Sequence, residues 1–195
     1  MGGIYIFIKK KSLILSLLLA IILAAACYYY FAIYNSVRDI RTYPDYKGYS
    51  TGPALFSGAE LVVIGSPVKD FEDREMTIRT VENGVIMDFY TLTEIEVERV
   101  LKGPEEDASN LKVIEPIVLR QTLSGKEKLT MAGYTEMKSG SRYMIFMAKN
   151  TYGQYSVINM QAGKFNMDGT DPEDAYNESV SKQRIFSELK TLQNL

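Results

Sequence analysis

The chain has 195 residues, 46% of them apolar and 24% charged, a composition that folds and that leaves room for one domain plus an anchor rather than two ordinary domains. Its net charge of −2 is unevenly placed: Lys9, Lys10 and Lys11 precede the first acid, Asp39, and setting them aside leaves 19 basic against 24 acidic residues, a net of −5. A mildly acidic body does not attract phosphate backbones, so nucleic acid is excluded as an expected partner.

Residues 1–11 read as a short basic tail. Residues 12–37 follow as a transmembrane or signal-anchor segment, because the 26 positions from Ser12 to Val37 carry no charge. As a helix this run would rise about 39 Å, enough for a hydrocarbon core of about 30 Å. Leu13 to Cys27 is aliphatic, and Tyr28, Tyr29, Tyr30, Phe31 and Tyr34 then form an aromatic cluster suited to a membrane interface. A buried helix of a soluble core would show a polar face, which this run lacks.

The same stretch also resembles a lipoprotein signal peptide. Lysines lead into an apolar region, and Leu23-Ala24-Ala25-Ala26-Cys27 fits a loose lipobox in which Cys27 would be acylated and become the first mature residue. Ala24 stands where leucine is usual, and Tyr28-Tyr29-Tyr30-Phe31 continues where small or polar residues are usual, so the uncleaved helix is favoured. A signal-peptidase cut after Ala26 is the third option. All three put the domain on one side of a cell membrane. Arg38, Arg41 and Lys47 nearly balance the lysines across the span; the tight lysine cluster before the aliphatic run places the N-terminus in the cytoplasm and the domain outside it.

Residues 38–58 hold Pro44, Gly48, Gly52, Pro53 and Gly58 among Tyr43, Tyr46 and Tyr49 and read as a stalk with little regular structure. Residues 59–195 read as a β domain with a C-terminal helix. Leu61 to Gly65 is a buried strand. Met76 to Val81 alternates and reaches Asn83-Gly84, a two-residue hairpin signal, from which a long strand runs from Val85 to about Leu101. Lys102-Gly103-Pro104 stops it. Leu111 to Arg120 is a further strand, in which Pro116 implies an edge or a bulge. Lys128 to Tyr134, Arg142 to Lys149, Tyr155 to Ile158 and Lys164 to Met167 complete the strands. Asp171-Pro172-Glu173-Asp174 then caps a helix of about twenty residues, with Tyr176, Val180, Ile185, Leu189 and Leu192 at helical spacing. About six to eight strands and one helix make a mainly β chain, a small OB-like antiparallel barrel whose helix packs on it.

Four fragments, taken in order, resemble a group of membrane-anchored bacterial surface proteins with an OB-like barrel. They are Ala59 to Gly65, Val97 to Gly103, Lys138 to Met147 and Gly163 to Met167. The resemblance covers roughly residues 59–167 and implies a fold and a location, not a defined activity. The implied barrel is also similar to the domain of tissue inhibitors of metalloproteinases. Those inhibitors place an N-terminal cysteine on the protease zinc and rely on disulfides, and a domain without cysteine has neither.

Sites are constrained by two absences. The chain has no histidine and only one cysteine, so no Cys-His pair, histidine base or internal disulfide can form. Glu94, Glu96 and Glu98 share one strand face, the pattern of a candidate cation site, but alternate positions lie about 6.8 Å apart, too far for tight chelation. Asp168, Asp171, Glu173 and Asp174 suggest a calcium loop, but a helix start accounts for most of them. Ser124-Gly125-Lys126 and Lys138-Ser139-Gly140-Ser141 offer serine and lysine for a nucleophilic pair, at positions where hairpin turns are needed. Asn177-Glu178-Ser179 matches a glycosylation sequon inside the expected helix. No catalytic residue, metal ligand or cofactor is assigned, and Cys27 is the one candidate modification site, for lipidation. The expected function is an envelope interaction module whose partners are membrane lipid and an envelope protein, peptide or glycan. An envelope hydrolase using carboxylates or a Ser-Lys pair, and a structural accessory subunit of a membrane complex, are the alternatives. The sequence sets no oligomeric state.

Overall fold

The computed structural model describes residues 2–176 and 179–193. The chain forms two compact units, residues 1–38 with 120–127, and residues 39–119 with 128–195.

The first unit is built on helix α1 (Gly2–Tyr28), continued by one π-helical stretch over Tyr29–Tyr34. Asn35 N–H reaches back to the Tyr30 carbonyl at 3.2 Å, the five-residue spacing of a π turn. From Leu13 to Tyr34 the helix is long and apolar enough to cross a membrane or to serve as a signal sequence, and none of it is buried.

Ten strands are assigned among the described residues of the chain. β1 (Val37–Thr42), β6 (Ile117–Thr122) and β7 (Gly125–Met131) make a three-stranded sheet in the order β1-β7-β6. β2 (Leu61–Pro67), β4 (Ile86–Lys102), β5 (Lys112–Glu115), β9 (Tyr155–Val157) and β8 (Tyr143–Lys149) close into a five-strand barrel. Around the ring these strands run first-second-third-fifth-fourth and back to the first in chain order. Every pair is antiparallel except β5 with β9, which meet in parallel at Ile114 and Ser156. β3 (Glu75–Thr80) extends β4 as a hairpin arm, and β10 (Lys164–Asn166) adds to the edge of β8.

β2 and β8 read as unbroken apolar runs because both of their faces are covered. Leu61 and Val63 on β2, with Tyr143, Ile145 and Met147 on β8, fill the barrel beside Ile95, Val113, Tyr155 and Val157. Val62, Met144 and Phe146 face outward onto Phe165 and two helices, α2 (Gly52–Gly58) and α4 (Val180–Gln193), which supply Leu55, Ile185 and Leu189. A third, smaller cluster joins Phe89, Val118 and Leu129 to Met76 and Ile78 of the hairpin arm. Gly65 sits at a bulge where any Cβ would stand 2.5 Å from the Glu96 carbonyl oxygen, so only glycine lets β2 approach β4 there.

The stretch 38–58, expected to be an irregular stalk, contains β1 and α2. The Thr51 hydroxyl caps α2 by accepting from Ala54 N–H at 3.3 Å, Pro53 occupies its first turn, and Lys102 closes its C-terminus by donating to the Phe56 and Ser57 carbonyls. Leu55 is fully buried, so this segment is part of the fold. Pro116 divides the expected strand 111–120 in two: β5 belongs to the barrel and β6 to the other sheet. At Asn83-Gly84 the turn has three residues rather than two. Val81 N–H bonds to the Val85 carbonyl, and both Asn83 and Gly84 take positive φ. The C-terminal helix is also divided, into α3 (Pro172–Tyr176) and α4. Asp171 caps α3 as expected, accepting from Glu173 N–H at 3.1 Å and Asp174 N–H at 3.3 Å. Ile185 and Leu189 pack on the barrel, whereas Val180 and Leu192 are exposed.

Candidate functional site

The barrel interior is plugged by a charged pair. Arg74 and Glu115 have side chains only 1% and 0% exposed and meet at 2.8 Å. Glu115 also accepts from the Thr93 hydroxyl, from the Tyr134 hydroxyl at 2.9 Å and from Met137 N–H at 2.9 Å. Arg74 donates further to the carbonyls of Lys69 and Met137, at 3.0 and 2.7 Å. With four donors on one carboxylate, the group is saturated and has no lone pair directed at a ligand. Burial, and then the neighbouring Glu115 charge, push the Tyr134 hydroxyl well above its ordinary value of 10.0, so it stays a neutral donor.

A second buried network joins the barrel to the C-terminal segment. Asp174 accepts from Lys182 at 2.6 Å, Lys164 at 3.2 Å, Gln161 at 2.9 Å and Asn166 N–H at 3.0 Å. Lys164 also lies 3.9 Å from Asp171, which accepts from the Tyr143 hydroxyl at 2.7 Å. The Lys164 ammonium stands over the rings of Tyr134 and Tyr143, so one aromatic face of the plug leads to the next. Burial would raise the Asp174 carboxyl, but the charges of Lys164 and Lys182 outweigh it and hold the group below its ordinary range. Two ammonium groups balance two carboxylates, the condition under which charges can be buried at all.

Glu136 forms a third set, with Lys128 at 2.7 Å on one oxygen and Lys138 at 2.5 Å on the other. Burial works against ionisation there, yet both lysines overcome it and bring the carboxyl from 4.5 to about 2. A folded pKa below the unfolded one gives stability that is complete above pH 4.5 and lost as pH falls through about 2. Glu136→Gln is therefore expected to lower stability at pH 7 by about 2 kcal/mol, less than the full shift implies because the lysines are partly solvated. Denaturant melts should show the gap to the parent chain closing as pH approaches 2; a gap that is constant with pH would refute the assignment.

Among the described residues, the clusters singled out in the sequence are engaged in ion pairs, turns and hydrogen bonds. Glu94 lies between Lys69 and Lys112, each 3.4 Å away, and Glu98 pairs with Arg142 at 2.6 Å. These acids and Glu96 line the outer face of β4, while Ile95 points inward. The Lys69 hydrogen bond, followed by its charge and by Lys112, keeps Glu94 below the ordinary carboxylate range. Asp168 spends its oxygens on Arg142 N–H, Asn166 and Thr170. No group of three or more metal-ligating side chains occurs among the described residues. Ser124 lies in the turn between β6 and β7, and Lys126 is the second residue of β7. Ser139 donates to Asp70, while Lys138 is held by Glu136 and by Glu173 at 3.3 Å, so Ser139 is not aimed at the adjacent lysine. Ser141 is buried against Thr170. Cys27 is exposed in the last turn of α1. Asn177 and Glu178 of the sequon lie outside the described residues.

One of several surface clefts among the described residues, of about 240 Å³, lies at the β4–β5–β9 side of the barrel. Tyr90, Asp88, Asn150, Tyr152, Gln154 and Met160 are among its lining residues. Asn150 fixes the rim by accepting from Tyr152 N–H at 2.9 Å and Gln154 N–H at 3.0 Å, an Asx-type turn that holds Tyr152 out at 77% exposure. Met160 in the lining and the preceding Asn159 both take positive φ, 50° and 61°, a strained pair of the kind that clusters at ligand clamps. The Asn-Thr-Tyr-Gly-Gln stretch 150–154 is the only sequence signal for it, and that reads as an ordinary turn. No protein-family model matches this chain, and no curated protein matches it.

Proposed function

We propose that this chain is a membrane-anchored extracytoplasmic interaction module of the cell envelope. Its OB-like barrel would recognise a protein, peptide or glycan on its outer surface. The observation that carries this reading is that side chains fill the barrel, with its central carboxylate saturated, while a tyrosine- and amide-lined cleft stays open outside. At about 240 Å³ the cleft is smaller than the roughly 300–1,000 Å³ of a site for a whole small molecule. It suits one side chain or one sugar ring of a larger partner, and aromatic faces flanked by amides and an acid offer both stacking and hydrogen bonds.

The anchor reading is supported by the 22 residues from Leu13 to Tyr34, which run helically through Cys27 without a break. The aromatic residues Tyr28-Tyr29-Tyr30-Phe31 directly after Cys27 favour a spanning helix over a lipid on Cys27. The lysine cluster before the span favours an extracytoplasmic domain. The ring order and its single parallel pair agree with an OB-like barrel, as does the resemblance to anchored bacterial surface proteins.

The test is titration of the full chain in lipid nanodiscs with a panel of cell-wall glycan fragments and short peptides. A ligand whose affinity falls roughly tenfold in Tyr152→Ala is expected, as for an aromatic anchor at the centre of an interface. No binding across the panel, or binding indifferent to Tyr152→Ala, would refute the cleft as the recognition surface.

A further inference from the structure

We infer that the β6–β7 hairpin tip is a second membrane contact, with Leu123 seated in the lipid headgroup and acyl boundary beside the helix. This inference rests on the spanning-helix reading above.

The tip belongs to the same compact unit as the helix, and several ties fix it there. The Tyr29 hydroxyl donates to the Leu123 carbonyl at 2.8 Å. Gln121 donates to the Tyr34 carbonyl at 2.9 Å, and Lys126 N–H donates to the Ser36 carbonyl at 2.7 Å. Arg38 pairs with Glu127, which Arg120 holds from its other side at 2.6 Å. Gly125, at φ +118°, leaves no space for a side chain: a Cβ would lie 2.8 Å from the Ser36 carbonyl oxygen and 2.9 Å from that of Ile33. The hairpin therefore sits at a fixed height on the helix.

That height is within the apolar span. Tyr29 lies five positions before Tyr34, the last residue of the stretch long enough to cross. Side chains of a helix lean toward its N-terminus, so the Tyr29 hydroxyl points further into the span rather than out of it. A tip bonded to that hydroxyl cannot stand clear of a bilayer that covers the helix to Tyr34. The exposed rings of Tyr28, Tyr30 and Phe31 occupy the same level, which is the interfacial zone where aromatic residues settle.

The tip's composition fits this position. Hairpin turns favour glycine, asparagine, aspartate or serine, yet here the turn carries a leucine that is 82% exposed. An isolated exposed leucine is unremarkable on a soluble surface; one tied to a membrane helix gains transfer free energy on entering lipid. The polar backbone around it is already served, since Thr122 donates to the Gly125 carbonyl at 2.7 Å and accepts from Ser124 N–H at 3.1 Å. Backbone groups paired in this way can enter the boundary region without a large desolvation cost.

The experiment places an environment-sensitive fluorophore on a single cysteine in the full chain, with Cys27→Ala removing the native thiol. Leu123→Cys reports on the tip and Leu18→Cys on the middle of the span. Both are reconstituted in phosphatidylcholine–phosphatidylglycerol vesicles containing shallow or deep spin-labelled lipids, with aqueous iodide as the opposing quencher. The expected result is blue-shifted emission at both positions. Position 123 should be quenched by the shallow label and shielded from iodide, and position 18 by the deep label. Iodide access at 123 with deep-label quenching at 18 would overturn the hairpin contact and leave the anchor standing. Iodide access at both would overturn the anchor and the contact together.

Discussion

A Glu115→Gln chain is expected to lose about 3–5 kcal/mol of stability, the range for removing one partner of a buried ion pair. The corresponding fall in melting temperature is about 10 °C for a chain of this size. The amide keeps the shape of the carboxylate but leaves Arg74 as an uncompensated buried charge, since its remaining partners are neutral carbonyls and a hydroxyl. The amide must also turn a donor toward at least one of Thr93, Tyr134 and Met137 N–H, all of which donate to the native carboxylate. Replacing both charges by apolar groups, as in Arg74→Met with Glu115→Leu, often restores stability elsewhere. Recovery is not expected here. The Tyr134 hydroxyl and the Met137 N–H and carbonyl would be left buried without their present partners, at about 1–3 kcal/mol each. Thermal and urea melts of the single and double variants check this. A double variant as stable as the parent would show that Glu115 serves only to neutralise Arg74.

The Asp174→Asn chain is expected to suffer a loss of similar size, about 3–5 kcal/mol, read at a different place. Asp174 is the shared acceptor of Lys164 and Lys182, whose side chains are 0% and 1% exposed. Without its charge Lys164 keeps, among the described residues, the more distant carboxylate of Asp171, at 3.9 Å, and the rings of Tyr134 and Tyr143. Lys182 is on α4, so the natural relief is for that helix to lift and hydrate its ammonium, exposing Ile185 and Leu189. Hydrogen exchange should therefore accelerate first in residues 180–193 while the barrel strands stay protected. Lys182→Met should cost less, because Asp174 keeps Lys164 and its amide partners. Uniform acceleration across barrel and helix would refute the idea that this cluster is the clasp of α4.

The strands that were legible in the sequence are those with a simple period. β2 and β8 show continuous apolar runs, and β4 alternates along most of its length. The cap at Asp171 was legible because side-chain chemistry sets it locally. The segment 38–58 reads as irregular because glycine, proline and tyrosine dominate it, although Thr51-Gly52-Pro53 is a helix start in its own right. The strand expected at 111–120 was divided because proline supplies no ladder hydrogen at 116 and the chain passes there to another sheet. The buried networks were not legible. Arg74, Lys164 and Lys182 look like surface residues in any local window, and only tertiary closure buries them. Glu115 did carry a signal, standing within the apolar run Val113-Ile114-Glu115-Pro116-Ile117-Val118, where an acid needs an internal partner. The hairpin tip gave a similar sign in Leu123, an apolar residue at a turn.

The central proposal is that the apolar helix through Leu13–Tyr34, long enough to cross a membrane, is uncleaved and holds this chain there. Alkaline carbonate extraction of membranes from cells producing the full chain, followed by intact-mass measurement of the pellet, tests it most directly. The expected outcome is a chain that resists extraction with the mass of all 195 residues, 22.0 kDa. Release into the supernatant, or a mature chain beginning at an acylated Cys27, would contradict it.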